Sequence, residues 1–435
     1  MQKINTWQQA LDYIYAKLPM YQRQGASAYK KDLTNTIKLC AACGNPQNNI
    51  KTIHIAGTNG KGTTSHIIAC GLQAQGYKTG VYTSPHYIDF RERIKINGNY
   101  VQTKYIIDFI NTYREEIEQV QPSFFEVTVA LAFKYFVDMK VDYAVIETGL
   151  GGRLDSTNVI IPLISVITNI SFDHQSMLGN TLIEIAGEKA GIIKNQVPVI
   201  IGEEQPETKD VFISKSIQMN AHISFAEHHV TLEKITENSE TIDYNIFFDN
   251  KLWINNLSTD LKGPFQEKNI ITGLHALKGL SELVSIDFEK VRSFFPTLKV
   301  ATGYIGRWQK LGISPLIIAD SAHNEAGIKI VVDALAKMQY KKLHIVLGFV
   351  NDKDISTILS LLPGDAIYYF AKANIPRGLN AIDLLKTAKD FNLSGRAYTS
   401  VRIAFAAARK TAKPDETIFI GGSIFVVAEV LNVKI

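Results

Sequence analysis

HIAGTNGKGTT, residues 54–64, decides how the chain is read. It ends the apolar run IKTIHIA at 50–56, a strand candidate, and opens onto a helical pattern at about 62–75. A glycine-rich turn between strand and helix lets backbone N–H groups converge on an anion without Cβ clashes. The helix N-terminus adds the positive end of its dipole. Lys61 stands where it reaches terminal phosphates, and Thr63 or Thr64 faces a magnesium ion. The spacing departs from the common G-x4-G-K-[ST] loop: two residues separate the first two glycines, and Gly62 follows the lysine. A tight turn with a solvated lysine is the plain alternative. The strand-to-helix placement and the lysine favour phosphate, which makes Thr58, Asn59, Gly60, Lys61, Gly62 and Thr63 candidate nucleotide contacts.

Outward from the loop, strands and helices alternate. KTGVYT, VDYAVIET (141–148), PLISVITNI (162–170) and VPVII (197–201) are apolar runs bounded by turn residues, which read as strands buried on both faces of a parallel sheet. Helical patterns lie at about 103–119, 126–139 and 181–193. Segment 222–261 is polar with short alternating runs (ISFA, YNIFF, KLWI) and reads as antiparallel strands attached to the first domain. A helix follows near 268–283. A second series begins near Pro315: PLIIAD, a helix at 324–338, LHIVLGF, a helix at 353–361, AIYYF, a helix at 380–389, TIFIGG and a final helix. The expected fold is α/β: an N-terminal P-loop-type domain, mostly parallel, with a small antiparallel addition (1–298), and a smaller Rossmann-like α/β domain (299–435). The boundary is expected between residues 295 and 303.

Composition agrees. The 435 residues are 46% hydrophobic and 20% charged, which excludes a disordered chain. The net charge of +4, with no Lys/Arg block of five or more, argues against nucleic acid. Cys40, Cys43 and Cys70 cannot frame a disulfide scaffold, and the Cys40–Cys43 pair reads as small core residues on one helix face. The N-terminal MQKINTWQQALDYIYAKLP is an amphipathic helix without the apolar centre of a signal peptide. No stretch reaches the roughly 18 apolar residues needed to span a bilayer. A cytoplasmic protein is expected.

The phosphate loop resembles that of the folylpolyglutamate synthase/dihydrofolate synthase family, ATP-dependent amide ligases related to the Mur ligases. The resemblance continues through YTSPHYIDFRERIKING (82–98), VIETGLGGRLDSTNVI (145–160), NISFDHQSMLGNT (169–181), GEKAGIIK (187–194), IADSAHNEAG (318–327), LGFVNDKD (347–354) and FIGGSIF (419–425). Eight collinear motifs outweigh any one. Only 56 residues precede Gly57, too few for the extra N-terminal domain of a Mur ligase.

The resemblance implies two magnesium sites. Ser84 and Glu147, with Thr63 of the loop, would hold one on the nucleotide phosphates; Glu147 and His174 would hold the other. Imidazole is an unusual magnesium ligand, so manganese can stand there. Asp173 is expected to support rather than ligate. Lys189 is a surface lysine on the plain reading; the resemblance makes it a carbamate bridging toward the second metal. A potassium requirement stays open. Lys61, Glu147, His174 and Lys189 form the implied catalytic set. Asn269, Arg307 and Asp320 match ATP contacts. The pteroate is placed near the glycine stretch 149–158, with Arg153 and Asp155, and near Phe124 and Phe125, for which core packing is the alternative. His323 and Ser423 are candidates for the glutamate, expected in the cleft with the second domain. The implied reaction is ATP-dependent ligation of L-glutamate to dihydropteroate, to folates, or to both, through an acyl phosphate, by a monomer with no nucleic-acid or membrane partner. The rivals are a Mur-type or other amino-acid ligase acting on a different acid, and a non-catalytic nucleotide switch.

Overall fold

A computed structural model describes residues 3–20, 32–351 and 355–431. Met1 and Gln2 of the opening helix motif, Lys30 and Lys31 of the second helix, and Asp352–Asp354 of LGFVNDKD lie outside the described residues. The chain forms two compact units. One runs to Tyr304 except for Tyr87–Asp89; the other comprises Tyr87–Asp89 and the chain from Ile305 onward. The sequence places the division at 298/299, and the units part at 304/305.

In the first unit, strands β1 (Thr52–Ala56), β2 (Thr79–Tyr82), β3 (Ile94–Ile96), β4 (Asn99–Tyr100), β5 (Tyr143–Glu147), β6 (Ile164–Ile167), β7 (Val199–Ile201) and β8 (Ile223–Phe225) make one sheet in the order β4-β3-β2-β5-β1-β6-β7-β8. The six strands from β2 to β8 in that order pair in parallel, and β3 and β4 add an antiparallel edge. Every residue of β1, β2, β5, β6 and β7 is buried, so these strands carry apolar residues on both faces. The β3–β4 hairpin was not expected, although Asn97-Gly98 announces it: both have positive φ, +47° and +75°. A separate antiparallel sheet, β9 (Val230–Glu237), β10 (Ile242–Phe248) and β11 (Lys251–Thr259), is most of the polar addition expected at 222–261; the run ISFA, expected to be antiparallel with the others, instead forms β8 and pairs in parallel with β7 at the edge of the main sheet.

Helices α1 (Trp7–Lys17) and α2 (Thr34–Ala42) precede β1. Cys40 and Cys43 are buried thiols, Cys43 at the end of α2, and burial holds both well above the usual thiol range, up to about 12. Helix α3 (Lys61–Ala74) leaves the phosphate loop. The pattern at 103–119 is two helices, α4 (Thr103–Thr112) and α5 (Arg114–Val120), because Tyr113 leaves helical geometry at φ −106°, ψ 21°. Helix α6 (Phe124–Asp138) starts at a capping box: Ser123 Oγ accepts from Glu126 N at 3.3 Å, and Glu126 Oε2 accepts from Ser123 N at 2.5 Å. Helices α7 (Gln175–Leu178) and α8 (Leu182–Ala190) follow β6, and α9 (Gln266–Leu280) packs along α3. A Cβ on Gly71 would lie 2.4 Å from Leu277, and one on Gly273 2.4 Å from Ile67. The glycines let α3 and α9 approach closely, and that approach brings Asn269 to the phosphate loop.

The second unit has β12 (Gln309–Ile313), β13 (Leu316–Ala319), β14 (Leu343–Leu347), β15 (Ile367–Ala371), β16 (Gly395–Tyr398) and β17 (Thr417–Gly421) in the order β12-β13-β17-β14-β15-β16. All neighbours pair in parallel except β12 with β13. Helices α10 (Glu325–Ala336), α11 (Ala381–Lys389) and α12 (Val401–Thr411) connect them, with a short helix at Ser356–Ser360 inside the span 353–361 expected between β14 and β15, and α13 (Ile424–Leu431) follows β17. The sequence reading passed over β12, β16 and α12. These strands are half-exposed edges, so their apolar signal is weak. Among the described residues no helix is long and apolar enough to cross a membrane.

Candidate active site

The phosphate loop leaves the carboxyl end of β1, between β5 and β6, at the sheet edge where open α/β folds bind ligands. Gly57 and Gly60 have φ of +145° and +84°. A Cβ on Gly57 would lie 1.9 Å from Thr168 Oγ1, and one on Gly60 2.2 Å from Asn269 Oδ1. Both conformation and space therefore demand glycine.

The segment after β6 straps the loop. Thr58 N donates to Asn169 O at 2.9 Å, and Asn59 N to Asn169 Oδ1 at 3.0 Å. The Thr58 hydroxyl and Ser171 backbone bond each other, and Thr168 Oγ1 donates to Asn59 O at 2.6 Å. Asn169 is itself held by Glu203 at 3.0 Å. The sequence reading named neither Thr168 nor Asn169 as a site residue, although Asn169 opens the motif at 169–181; both act on the loop across a gap of about 110 residues.

Lys61 curls over the loop, with Nζ donating to Gly57 O at 3.0 Å and Thr58 O at 3.1 Å. Lys189, at the end of α8, donates to the same Gly57 O at 2.9 Å. Lys189 is buried, and that burial pushes its amine down to about 7, assisted by the Lys61 cation and opposed by Asp173 and Asp155. An amine held so near neutrality is chemically competent to add CO2, whereas an ordinary surface ammonium is not.

Glu147 ends β5 and is buried. Its Oε2 accepts from Ser84 N at 3.1 Å. A Cβ on Gly62 would lie 3.7 Å from that oxygen, so the carboxylate faces the first turn of α3. Residue 62 is thus small where a carboxylate must look onto the helix start. Asp173 lies near enough to Lys189 to bias its charge and also holds His174, accepting from its backbone N at 2.9 Å, with the imidazole Nε2 at 3.8 Å. His174 adopts φ +51° at the head of α7. Among the described residues no three His, Cys, Asp or Glu side chains form a ready-made metal cage. Glu147, Ser84 and Thr63 nevertheless offer hard oxygens beside a phosphate loop, which suits magnesium, an ion usually held by one or two carboxylates plus substrate phosphates and water. The Thr63 hydroxyl is hydrogen-bonded to Tyr304 OH at 2.8 Å.

The aromatic residues meet the glycine stretch. Phe125 lies on Gly149, where a Cβ would be 2.4 Å from its ring, and contacts Tyr82 at 6.1 Å between centroids. Phe124 is buried against Tyr15, Phe90 and His86, with the Arg93 guanidinium 5.1 Å above its ring. Arg93 is buried and donates to His86 Nδ1 at 2.8 Å. Asp155 is buried, and its oxygens accept from the backbone N of Gly149 and Leu150 at 2.9 Å each and from Thr157 N and Oγ1. Burial raises its pKa against those four bonds. Its carboxylate ties the glycine stretch together. Arg153 pairs with Glu188 at 2.7 Å and is more than half exposed.

In the second unit, Asp320 follows β13, is buried, and accepts from Trp308 N at 2.7 Å and Ala322 N at 2.8 Å. Burial raises its pKa, with Arg307 the first opposing influence. His323 Nδ1 lies 3.0 Å from Ser321 O. Ser423 is buried just before α13, and its hydroxyl accepts from Val426 N at 3.3 Å. Arg307, Asp320 and His323 thus share one strand end. Ser423 follows β17, which neighbours that strand.

Residues 55–277 match the Mur ligase middle domain, and residues 306–424 the Mur ligase glutamate ligase domain. The chain is 32% identical over 435 residues to a dihydrofolate synthase/folylpolyglutamate synthase of Bacillus subtilis, covering 98% of each. It is 31% identical over 412 residues to a folylpolyglutamate synthase of Lacticaseibacillus casei, covering 92% of this chain and 93% of that one. Its structure is similar to E. coli FolC in complex with DHPP and ADP (TM-score 0.85, 26% identity, 99% and 98% covered). It is also similar to a Mycobacterium tuberculosis folylpolyglutamate synthase complexed with ADP and AMPPCP (TM-score 0.85, 27% identity, 98% of each).

Proposed function

Given that the chain belongs to the folylpolyglutamate synthase/dihydrofolate synthase family of Mur-type ligases, we propose a site-by-site account of its reaction. The enzyme is an ATP-dependent ligase of folate metabolism that joins L-glutamate to a pteroate or folate acceptor. The rival readings, a ligase for an unrelated acid and a nucleotide switch, have no counterpart among these relatives.

The acceptor carboxylate attacks the γ-phosphate of ATP, giving an acyl phosphate and ADP. Both partners are anionic, and Lys61 offsets their repulsion from its place over the loop. The backbone amides of Gly60–Thr63 at the open start of α3 hold the phosphates, and Thr58 and Asn59, whose own amides are bonded to Asn169, shape the loop around them. The glutamate amine then attacks the acyl carbon, phosphate leaves, and the amide forms. Asn269, Arg307 and Asp320 are read as further ATP contacts, and His323 and Ser423 as glutamate contacts. Phe124 and Phe125 would carry the flat pterin ring, with the 149–158 stretch beside it.

Magnesium, when bound, neutralises phosphate charge. Thr63, Ser84 and Glu147 would hold one ion; Glu147, His174 and a Lys189 carbamate would hold the other, with manganese an acceptable substitute. A carbamate turns the buried amine into a two-oxygen anion, the form that cations favour. We read the enzyme as bifunctional, cytoplasmic and monomeric.

The observation that carries this reading is the meeting of Lys61 and Lys189 on the Gly57 carbonyl, where the phosphate loop begins. Product analysis by mass spectrometry tests it, with ATP, glutamate, and dihydropteroate or a reduced folate in turn. Glutamylated product from both acceptors is expected, falling about a hundred- to a thousand-fold in Glu147→Ala while the fold survives. No ADP release above background with either acceptor would end the proposal.

A further inference from the structure

One buried polar chain reaches the phosphate loop from the far side of α3. Asn269 Nδ2 donates to Gln266 Oε1 at 3.1 Å, and Gln266 Nε2 donates to Tyr304 OH at 3.2 Å. Tyr304 OH lies 2.8 Å from Thr63 Oγ1. All four residues are buried. The 2.8 Å contact fixes the orientation of the Thr63 hydroxyl whichever of the two oxygens supplies the proton, and in either case at least one lone pair of Thr63 Oγ1 stays directed elsewhere. The two ends of the chain are the two residues that flank the turn: Thr63 in the first turn of α3, and Asn269 against Gly60.

The Tyr304 ring has its own seat. His66, one turn along α3, meets it edge-on at 5.2 Å and 72°. The Thr302 hydroxyl donates to Leu298 O at 2.7 Å, so His66 Nδ1 is the donor in its 2.7 Å bond to Thr302. That leaves His66 Nε2 facing Lys95 Nζ at 3.4 Å, and Lys95 also donates to Gly303 O at 2.8 Å. Thr302 and Tyr304 are thus fixed to α3, which leaves the loop, and Gly303 to Lys95 of β3. Three successive residues pinned by side chains from other elements make a rigid support for one hydroxyl, not incidental surface contacts.

We propose that Tyr304 is a positioning residue for nucleotide binding, its phenol, aimed by Gln266, holding the Thr63 hydroxyl in the orientation that the metal–ATP complex requires. The inference rests on the reading that Thr63 faces that complex. It goes beyond that reading by assigning roles to Tyr304 and Gln266, which bear no motif. Neither residue touches substrate; both act through Thr63.

Calorimetric titration of the full chain with ATP, with magnesium and with a chelator, tests it. Tyr304→Phe keeps the ring on His66 and removes only the hydroxyl. Losing the hydroxyl, with its bonds to Thr63 and Gln266, should weaken magnesium–ATP binding about three- to ten-fold and leave metal-free ATP binding unchanged, with a modestly lower melting temperature from the unpaired Gln266 amide. Gln266→Met should shift the same quantity in the same direction. Thr63→Ala should weaken magnesium–ATP binding further, and Thr63→Ala with Tyr304→Phe should be no weaker than Thr63→Ala alone. Unchanged magnesium–ATP affinity in Tyr304→Phe overturns the proposal, as does an equal loss with and without metal. A silent Thr63→Ala overturns it at its premise, and thereby separates failure of the site reading from failure of the relay.

Discussion

Lys61 and Lys189 share one acceptor: both side-chain nitrogens lie on the carbonyl oxygen of Gly57, at 3.0 and 2.9 Å. Two amines on one neutral oxygen repel unless one of them gives up its proton, and the buried partner does so more easily. Lys189 is that partner, held at about 7 by burial first and by the Lys61 cation second. A value near 7 puts Lys189 at the boundary between ammonium and neutral amine.

Lys189→Gln keeps a polar, uncharged donor on a side chain one atom shorter, but cannot add CO2. Turnover should fall about a hundred- to a thousand-fold, the scale of losing one preorganised charge, while metal-free ATP binding persists. With isotopically labelled bicarbonate, a carbamate resonance should be visible in the wild type and missing in the variant. A variant that turns over normally would sink the assignment.

Gly60 and Gly62 should respond differently to an added methyl. Gly60→Ala places a Cβ 2.2 Å from Asn269 Oδ1 at φ +84°, and should cost about 1–2 kcal/mol from backbone strain alone, with more from the clash. Gly62→Ala meets only Glu147 oxygens, at 3.7 and 3.9 Å, and should leave the melting temperature in place. Equal melting temperatures for the two variants would contradict the account of the loop.

Asp155→Asn should loosen the glycine stretch. An amide cannot accept all four bonds that the carboxylate takes from Gly149, Leu150 and Thr157. A stability loss of about 1–3 kcal/mol is expected, together with a raised KM for the pteroate acceptor and an unchanged KM for ATP. A shift in the KM for ATP alone would assign the residue to a different part of the site.

Acid should destabilise the fold before carboxylates titrate. Burial drives His54 down to about 3 and His275 down to about 4. Both are neutral in the folded chain and take a proton near 6.5 once unfolded, so below 6.5 the unfolded state binds more protons. Stability is complete above that pH and is lost as pH falls toward 4, by up to about 1.4 kcal/mol per pH unit for each histidine. Urea midpoints measured across that window should show the slope, and His54→Gln should reduce it. An unchanged slope in the variant would remove His54 from the account.

The order of elements was readable because each local signal was strong. IKTIHIA and VDYAVIET carry the apolar continuity of strands covered on both faces, and Gly57–Gly60 mark the turn between β1 and α3. Edge elements were less readable. β12 and β16 are half exposed, and the break at Tyr113 has no glycine or proline to announce it. Within the site, Lys61, Glu147 and Ser84 could be named from motifs. Tyr304, Gln266, Asn169 and Thr168 were not named, because a hydroxyl or amide gains its role only from the distant group it meets.

What the sequence determined by itself is the series of strands and helices, the positions where only glycine can turn the chain, and the chemical types gathered in collinear motifs. Those follow from short-range sterics and from periodicity, which neighbouring residues carry between them. Tertiary structure alone decided that the Lys189 amine would be buried beside Lys61, that Asp155 would bind backbone rather than face solvent, and that Tyr304 would lean on Thr63. Such outcomes depend on burial and on contacts between residues far apart in the chain. The local sequence of either partner encodes neither.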